Sequence, residues 1–150
     1  MILKRKKLPT RRSLVNKLDS IYAFKIKTRD SLIRGRCPFH ADVIFRPIEH
    51  VFHFITRAKH SVRWDDRNAV GSCSRCNLLY EYDQTFVDQV LNWYKTEVGQ
   101  GAWDQLVLDS HKIVKRSRSD LMELLEKIDG QVQLKNWGSL YPDGRPKIYG

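Results

Sequence analysis

The sequence predicts an α+β fold, mainly helical, arranged around a small β-β-α unit. Three observations carry this prediction. Apolar residues recur at helical spacing in several separate stretches, from Leu14–Ile26 near the start to Leu121–Ile128 near the end. Between them, residues 48–55 and Ala69–Ser72 read as two short strands, followed by a helix that should begin near Ser74. Finally, a Cys-x-x-His at 37–40 and a Cys-x-x-Cys at 73–76 bracket those strands with two halves of a Cys3His zinc knuckle.

The 150 residues are enough for one domain with a buried core. No run of about 18 apolar residues is present, so no bilayer span is expected. The basic N-terminus lacks the apolar segment that would make it a signal peptide. Three cysteines, an odd number, fit metal ligation in a reducing cytosol better than a disulfide framework. A cytoplasmic location is therefore expected. Charge is unevenly placed: residues 1–36 carry twelve Lys and Arg against Asp19 and Asp30, whereas the remainder holds 15 of each sign. A basic block on a neutral body is the footprint of a polyanion binder. A solvated arm or an anionic membrane surface would use the same charge, but Lys4-Arg5-Lys6-Lys7 lacks the aromatic face of an interfacial helix.

In chain order, residues 1–12 read as a flexible basic arm, 13–130 as a single domain and 131–150 as a turn-rich tail. Ser13 is the expected cap of a first helix whose stripe is Leu14, Leu18, Ile21, Tyr22 and Ile26. The cations on and around it, Lys4, Arg5, Lys6, Lys7, Arg11, Arg12, Lys25, Lys27 and Arg29, are expected to face phosphates. Val43-Ile44-Phe45 is a short β-like run stopped by Pro47. In the strand at 48–55, alternation sets Val51, His53 and Ile55 on one face and His50, Phe52 and Phe54 on the other. Residues 57–68 form a polar loop anchored by Trp64. Asp83 or Thr85 caps the next helix (stripe Phe86/Val87, Val90/Leu91 and Tyr94), Gly99-Gln100-Gly101 breaks it, and Trp103, Leu106 and Val107 suggest another. Ser119 would cap a last helix, stopped by Gly130. Its stripe, Leu121 to Ile128, reads as core, with a dimer surface as the alternative.

The two-residue spacing within each Cys pair lets both donors reach one ion from a tight turn at a helix start. Cys37, His40, Cys73 and Cys76 together make a Cys3His zinc site joining the basic helix to the β-β-α unit. Catalytic residues are suggested by a separate order of side chains. Phosphodiester hydrolysis needs a base to activate water and positive charge on the phosphate oxygens. In a β-β-α metal nuclease a strand-borne His accepts the proton, an Asn fixes the loop, and a His or Asn at the helix start binds a divalent ion. His53, Asn68 and Asn77 occur in that order, and Asn77 directly follows Cys76.

Four stretches carry a resemblance: Leu18-Asp19-Ser20-Ile21 through Ile26-x-x-Arg29-Asp30, His53-Phe54-x-x-Arg57, Arg63-Trp64-Asp65-x-x-Asn68, and Cys73-x-x-Cys76-Asn77. Through them the chain resembles the NinG (Rap) family of phage recombination endonucleases, within the wider HNH group, and the looser match runs to about residue 128. The resemblance implies an HNH-like ββα-metal core and a DNA endonuclease using Mg2+ or Mn2+. It further implies branched DNA such as Holliday junctions as substrate, in the cytoplasm of a bacterial host. Carried over by residue, His53 is the general base, Asn68 orients the loop, Asn77 binds the catalytic ion and Arg57 contacts a phosphate of the scissile strand. Paired cuts across a junction imply a homodimer.

The chain departs from that pattern at three places. His40 stands where a second Cys is usual, and zinc accepts the exchange. Phe52 precedes His53 where Gly or Asp is common, which leaves His50, Asp65, Asp66 and Glu81 as candidates to complete the ion's shell, His50 foremost. No His stands in Ala69-Val70-Gly71-Ser72. A zinc-stapled DNA-binding or adaptor protein on a degenerate HNH fold is therefore the alternative to the nuclease, and a partner-binding role for the helical C-terminal half is a third reading.

Overall fold

The computed structural model describes residues 6–40 and 45–133. Among these residues are five α-helices and a two-stranded sheet: α1 (Arg11–Ile33), β1 (His50–His53), β2 (Ala69–Ser72), α2 (Ser74–Tyr82), α3 (Gln84–Glu97), α4 (Gln100–Ser110) and α5 (Arg118–Gln133). β1 and β2 are antiparallel, with His50 opposite Ser72 and His53 opposite Ala69. The expected β-β-α order is thus present as β1, β2 and α2. Lys4, Arg5, Val43 and Ile44 lie outside the described residues, as does the tail from 134 onward.

The sheet packs against apolar side chains on both faces, and the alternation along β1 and β2 explains how. Phe52, Phe54 and Val70 face a core shared with Cys37, Cys73, Cys76, Phe86, Val90, Tyr94 and Leu106. Val51 and Ala69 face a second core with Leu14, Leu18, Tyr22 and Ile26 of α1 and Leu121 and Ile128 of α5. The stripe at 121–128 is therefore spent against α1 rather than offered to a second copy. Aromatic contacts tie the first core together: Phe52 stacks on Tyr80 at 4.6 Å between ring centroids, and Phe54 meets Tyr94 edge-on at 4.7 Å.

Several helix boundaries differ from those expected. α1 begins at Arg11, because the Thr10 side chain, in extended conformation, accepts the Ser13 N–H at 3.1 Å. Arg11 and Arg12 thus form the first helical turn instead of ending an arm. α5 starts two residues early for a similar reason: Ser117 and Asp120 cap each other's backbone N–H groups at 2.7 and 3.1 Å. That helix also passes through Gly130 to Gln133, so residues 131–133 are helix and not tail. Gly99, at φ 125°, separates α3 from α4, whereas Gln100 and Gly101 already belong to α4.

The largest correction concerns α1. Lys25 and Arg29 do not face solvent; they are 2% and 5% exposed, beside Asp30 at 0%. Lys25 reaches Asp66 at 2.7 Å and Gln131 at 2.8 Å. Arg29 holds Asp30 at 2.8 Å and the carbonyls of Asp66 and Ala69 at 2.7 and 2.9 Å. Asp30 in turn accepts the Gly71 N–H of β2 at 2.7 Å. These charges sit on the buried side because they continue the spacing Leu18, Tyr22, Lys25, Arg29, and each finds a partner there. Gly71 permits the close approach: a Cβ there would lie 2.7 Å from Ile48 and 3.3 Å from Asp30.

Removing one member of a buried pair leaves the other charge uncompensated, at a cost of about 3–5 kcal/mol. Asp30→Ala is therefore expected to lose that much in chemical denaturation, since Arg29 and the Gly71 N–H lose their acceptor. A loss below about 1 kcal/mol would mean that α1 docks on the sheet by apolar packing alone.

Candidate functional site

Two features share the β-β-α unit: a cluster of metal-ligating side chains and a cavity beside it. Cys73 follows β2 and caps α2, Cys76 lies one turn into that helix, and Cys37 and His40 come from the loop after α1. Hydrogen bonding of the Cys37 N–H to the Arg46 carbonyl, at 2.8 Å, helps to hold that loop. The four ligand atoms all lie within 4.8 Å of one another. His40 Nε2 is 3.0 Å from Cys73 Sγ and 3.2 Å from Cys76 Sγ. A tetrahedral ion with bonds of about 2.0–2.3 Å spaces its donors at about 3.5–3.8 Å, close to this arrangement. All three cysteines are buried and free of disulfides. Contact with Cys76 brings the Cys37 thiol down to about 5 against the opposing effect of burial, while the same contact pushes Cys76 up. One thiolate is thus already favoured in a site of three sulfurs and one imidazole, a donor set suited to a metal ion such as zinc.

The cavity, about 600 Å³, runs beside β1 between α1 and α2. Its walls are Asp19, Tyr22 and Ala23 of α1, residues 51–54 with Thr56 and Arg57, and Asn77, Tyr80 and Glu81 of α2. Helical periodicity explains each helix's contribution. Asp19, Tyr22 and Ala23 are spaced i, i+3, i+4, and Asn77 and Glu81 are one turn apart. α2 is locked to the strand end by the Tyr80 hydroxyl, which donates to the Phe54 carbonyl at 2.7 Å.

His53 enters from the end of β1, its ring 5.5 Å from that of Tyr22. Its Nε2 lies 2.9 Å from the Arg63 carbonyl, which can only accept. Nε2 therefore carries the proton and Nδ1 keeps a lone pair. Burial lowers the affinity of the ring for a second proton to a pKa of about 4; the charges of Arg57 and Arg63 act in the same direction, against the Arg63 carbonyl bond and Asp19. The imidazole is consequently neutral at physiological pH, the protonation state of a base.

Asn68 is fully buried and holds the loop rather than the cavity. Its side-chain oxygen accepts the Ile55 N–H at 2.8 Å, and its amide donates to the Ile55 and Val62 carbonyls at 2.9 and 3.1 Å. The backbone pairing of Phe54 with the Asn68 carbonyl, at 2.9 Å, extends the sheet to the same residue. Arg57, with 60% of its side chain exposed, stands 3.6 Å from Asp19.

The structure thus brings His53, Arg57 and Asn77 to one cavity and sets Asn68 behind them. His50 is not with them: it is exposed at the opposite end of β1, three residues from His53, and does not line the cavity. Asp65 and Asp66 are also elsewhere, bound to Arg67 and Lys25. Of the candidates to complete an ion's shell, Glu81 alone lines the cavity. Asp19, to which the sequence alone assigns no site role, also lines the cavity; its partners lie in the loop after β1, and no spacing in the sequence points to them. No protein-family model, curated protein or solved structure matches the chain.

Two outcomes follow for the site. Purified protein should carry about one zinc per chain. Zinc held at about a thousand times its dissociation constant adds about 4 kcal/mol, so chelation should lower Tm by roughly 8–16 °C. Absence of metal and an unchanged melting curve under EDTA would remove the knuckle. In an NMR titration the His53 ring should stay neutral from pH 8 down to about 5.5, because its pKa is lowered towards 4 from 6.5. The unfolded ring protonates first as pH falls, so His53 subtracts stability progressively between 6.5 and 4. A midpoint near 6.5 would place the ring in water.

Proposed function

We propose that the protein is a divalent-metal-dependent DNA endonuclease. His53 is its general base, Asn77 a ligand of the catalytic Mg2+ or Mn2+, Arg57 a phosphate contact and Asn68 the residue that fixes the loop. The observation that carries this reading is the shared cavity: a neutral, tautomer-fixed imidazole and an Asn from the start of α2 open on the same space, with a guanidinium at its rim. Glu81, one helical turn beyond Asn77, is the carboxylate placed to complete the ion's shell.

When bound, the divalent ion supplies Lewis-acid polarisation of the phosphate and neutralises charge on the leaving oxygen. The chain's own residues do the rest. Nδ1 of His53 accepts a proton from water as the water oxygen bonds to phosphorus and the bond from phosphorus to the leaving sugar oxygen breaks. Arg57 shifts from Asp19 to a non-bridging phosphate oxygen, which its exposure and 3.6 Å separation allow. Bound phosphates raise the proton affinity of His53 during this step. The knuckle acts as a structural clamp: Cys76 and Asn77 are adjacent, so a metal held by the sulfurs fixes the start of α2.

For the substrate, the resemblance to the NinG family favours branched recombination intermediates, and a homodimer would supply two active sites for paired cuts. Exposed Lys6, Lys7 and Arg12, with half-buried Lys27, take over the DNA-binding role expected of Lys25 and Arg29. A non-catalytic DNA-binding role would use the same charge without needing the cavity.

Nicking of branched and linear DNA with Mg2+ or Mn2+ tests the reading. His53→Ala should lose about 10²–10⁴-fold in rate, with the fold and zinc content kept. Cleavage equal to that of the unaltered protein would exclude His53 as the base. DNA binding with no cleavage by any form would favour the non-catalytic reading.

A further inference from the structure

We infer that Asp19 is a positioning residue of the site, through which α1 fixes both the tautomer of His53 and the resting place of Arg57. The inference rests on the nuclease reading for its kinetic consequences and on geometry for the rest. Asp19 is half-buried at the cavity wall, and its carboxylate gathers the donors of the loop after β1. Arg63 binds it twice, Nε to Oδ1 at 3.0 Å and an Nη to Oδ2 at 2.6 Å. The Trp64 indole N–H adds a third bond to Oδ1 at 2.9 Å. The same Arg63 presents its backbone carbonyl to His53 Nε2 at 2.9 Å. A chain of contacts therefore runs from α1 through one carboxylate and one arginine to the proton on the imidazole.

The charge balance supports the same role. Burial alone would raise the Asp19 carboxyl, but bonds from Arg63 and Trp64 and the charges of Arg63 and Arg57 outweigh it, so the group stays ionised. Three of its contacts lie between 2.6 and 3.0 Å, whereas Arg57 stands 3.6 Å away with its side chain largely in solvent. The loop is thus gripped and Arg57 only parked. A phosphate can draw Arg57 away while Arg63 and Trp64 stay bound, so the carbonyl that orients His53 does not move when DNA arrives. The cavity face of Asp19 is shared with Tyr22, one turn along α1, whose hydroxyl donates to the Asp65 carbonyl at 2.6 Å and secures the far side of the same loop.

Asp19→Asn in the full zinc-loaded chain tests this, because the amide keeps the size and loses the charge and one acceptor. In nitrogen-detected NMR, the His53 ring of the unaltered protein should be protonated at Nε2 alone, and the variant should show a mixture of both tautomers. With branched DNA and Mn2+, kcat should fall about 10-fold or more while KM stays level or drops, because Arg57 is released to the phosphate. An unchanged tautomer in a variant that melts cooperatively and retains zinc would overturn the inference, and so would a rise in KM at constant kcat. If the unaltered protein fails to cut DNA, the nuclease reading falls, whereas the tautomer measurement still decides the role of Asp19. Should Asp19→Asn fail to fold, Arg63→Lys carries the same test, since it keeps the backbone carbonyl and the charge but not the paired bonds.

Discussion

Everything in this fold hangs on how α1 is seated, and a set of buried charges decides that. Lys25, Arg29 and Asp30 project from a helix that is otherwise apolar on its inner face, and none of them can be moved to water without moving the helix. Each is tied to a different part of the chain: Asp66 in the loop, the carbonyl of Ala69, and the N–H of Gly71. An apolar stripe alone would tolerate a slide along the sheet. Paired charges with defined partners do not, because a shift of one residue would leave a buried charge uncompensated. The first half of the helix is fixed by the second, and Asp19 lies about 16 Å from Asp30 along the axis.

That seating gives the cavity one of its walls. The opposite wall is α2, whose start is held by the sulfur and imidazole groups of residues 37, 40, 73 and 76 and whose middle is pinned by Tyr80. His53 projects between the two from the strand they enclose. The division of labour is physical: ion pairs set α1, three cysteines and a histidine that could hold a metal ion gather at the start of α2, and the strand carries the titratable ring. The loop from Arg57 to Asn68 is long and polar, yet Asn68 binds it from inside and Asp19 from outside, so it behaves as part of the wall.

The readable parts of the sequence were those with a period or a spacing. The stripes of α1, α3 and α5, the two strands with α2, and the four ligand residues all follow from repeats of two, three or four residues. The charged members of the α1 stripe were not readable in the same way. Lys25 and Arg29 obey the helical spacing, but a cation in a basic segment reads as solvated unless its partners are known; Asp66 is 41 residues from Lys25, and the carbonyls that hold Arg29 are 37 and 40 residues from it. His50 failed for a different reason: the alternation itself sets it on the strand face opposite His53, and it lies at the far end of β1, away from the cavity. The caps at Thr10 and Ser117 were displaced by rivals two or three residues away with equal capping chemistry. Asp19 was hidden because its partners, Arg63 and Trp64, come from a loop that carries no period.

The proposed nuclease activity requires one cation bound between the strand histidine and the first turn of α2. Crystals of the protein soaked in Mn2+ and measured at the manganese edge test it directly. The expected result is an anomalous peak inside the cavity, within coordination distance of Asn77 or Glu81 and close enough to His53 for one water molecule to bridge them. A fully occupied peak elsewhere, with the cavity empty at millimolar Mn2+, would contradict it.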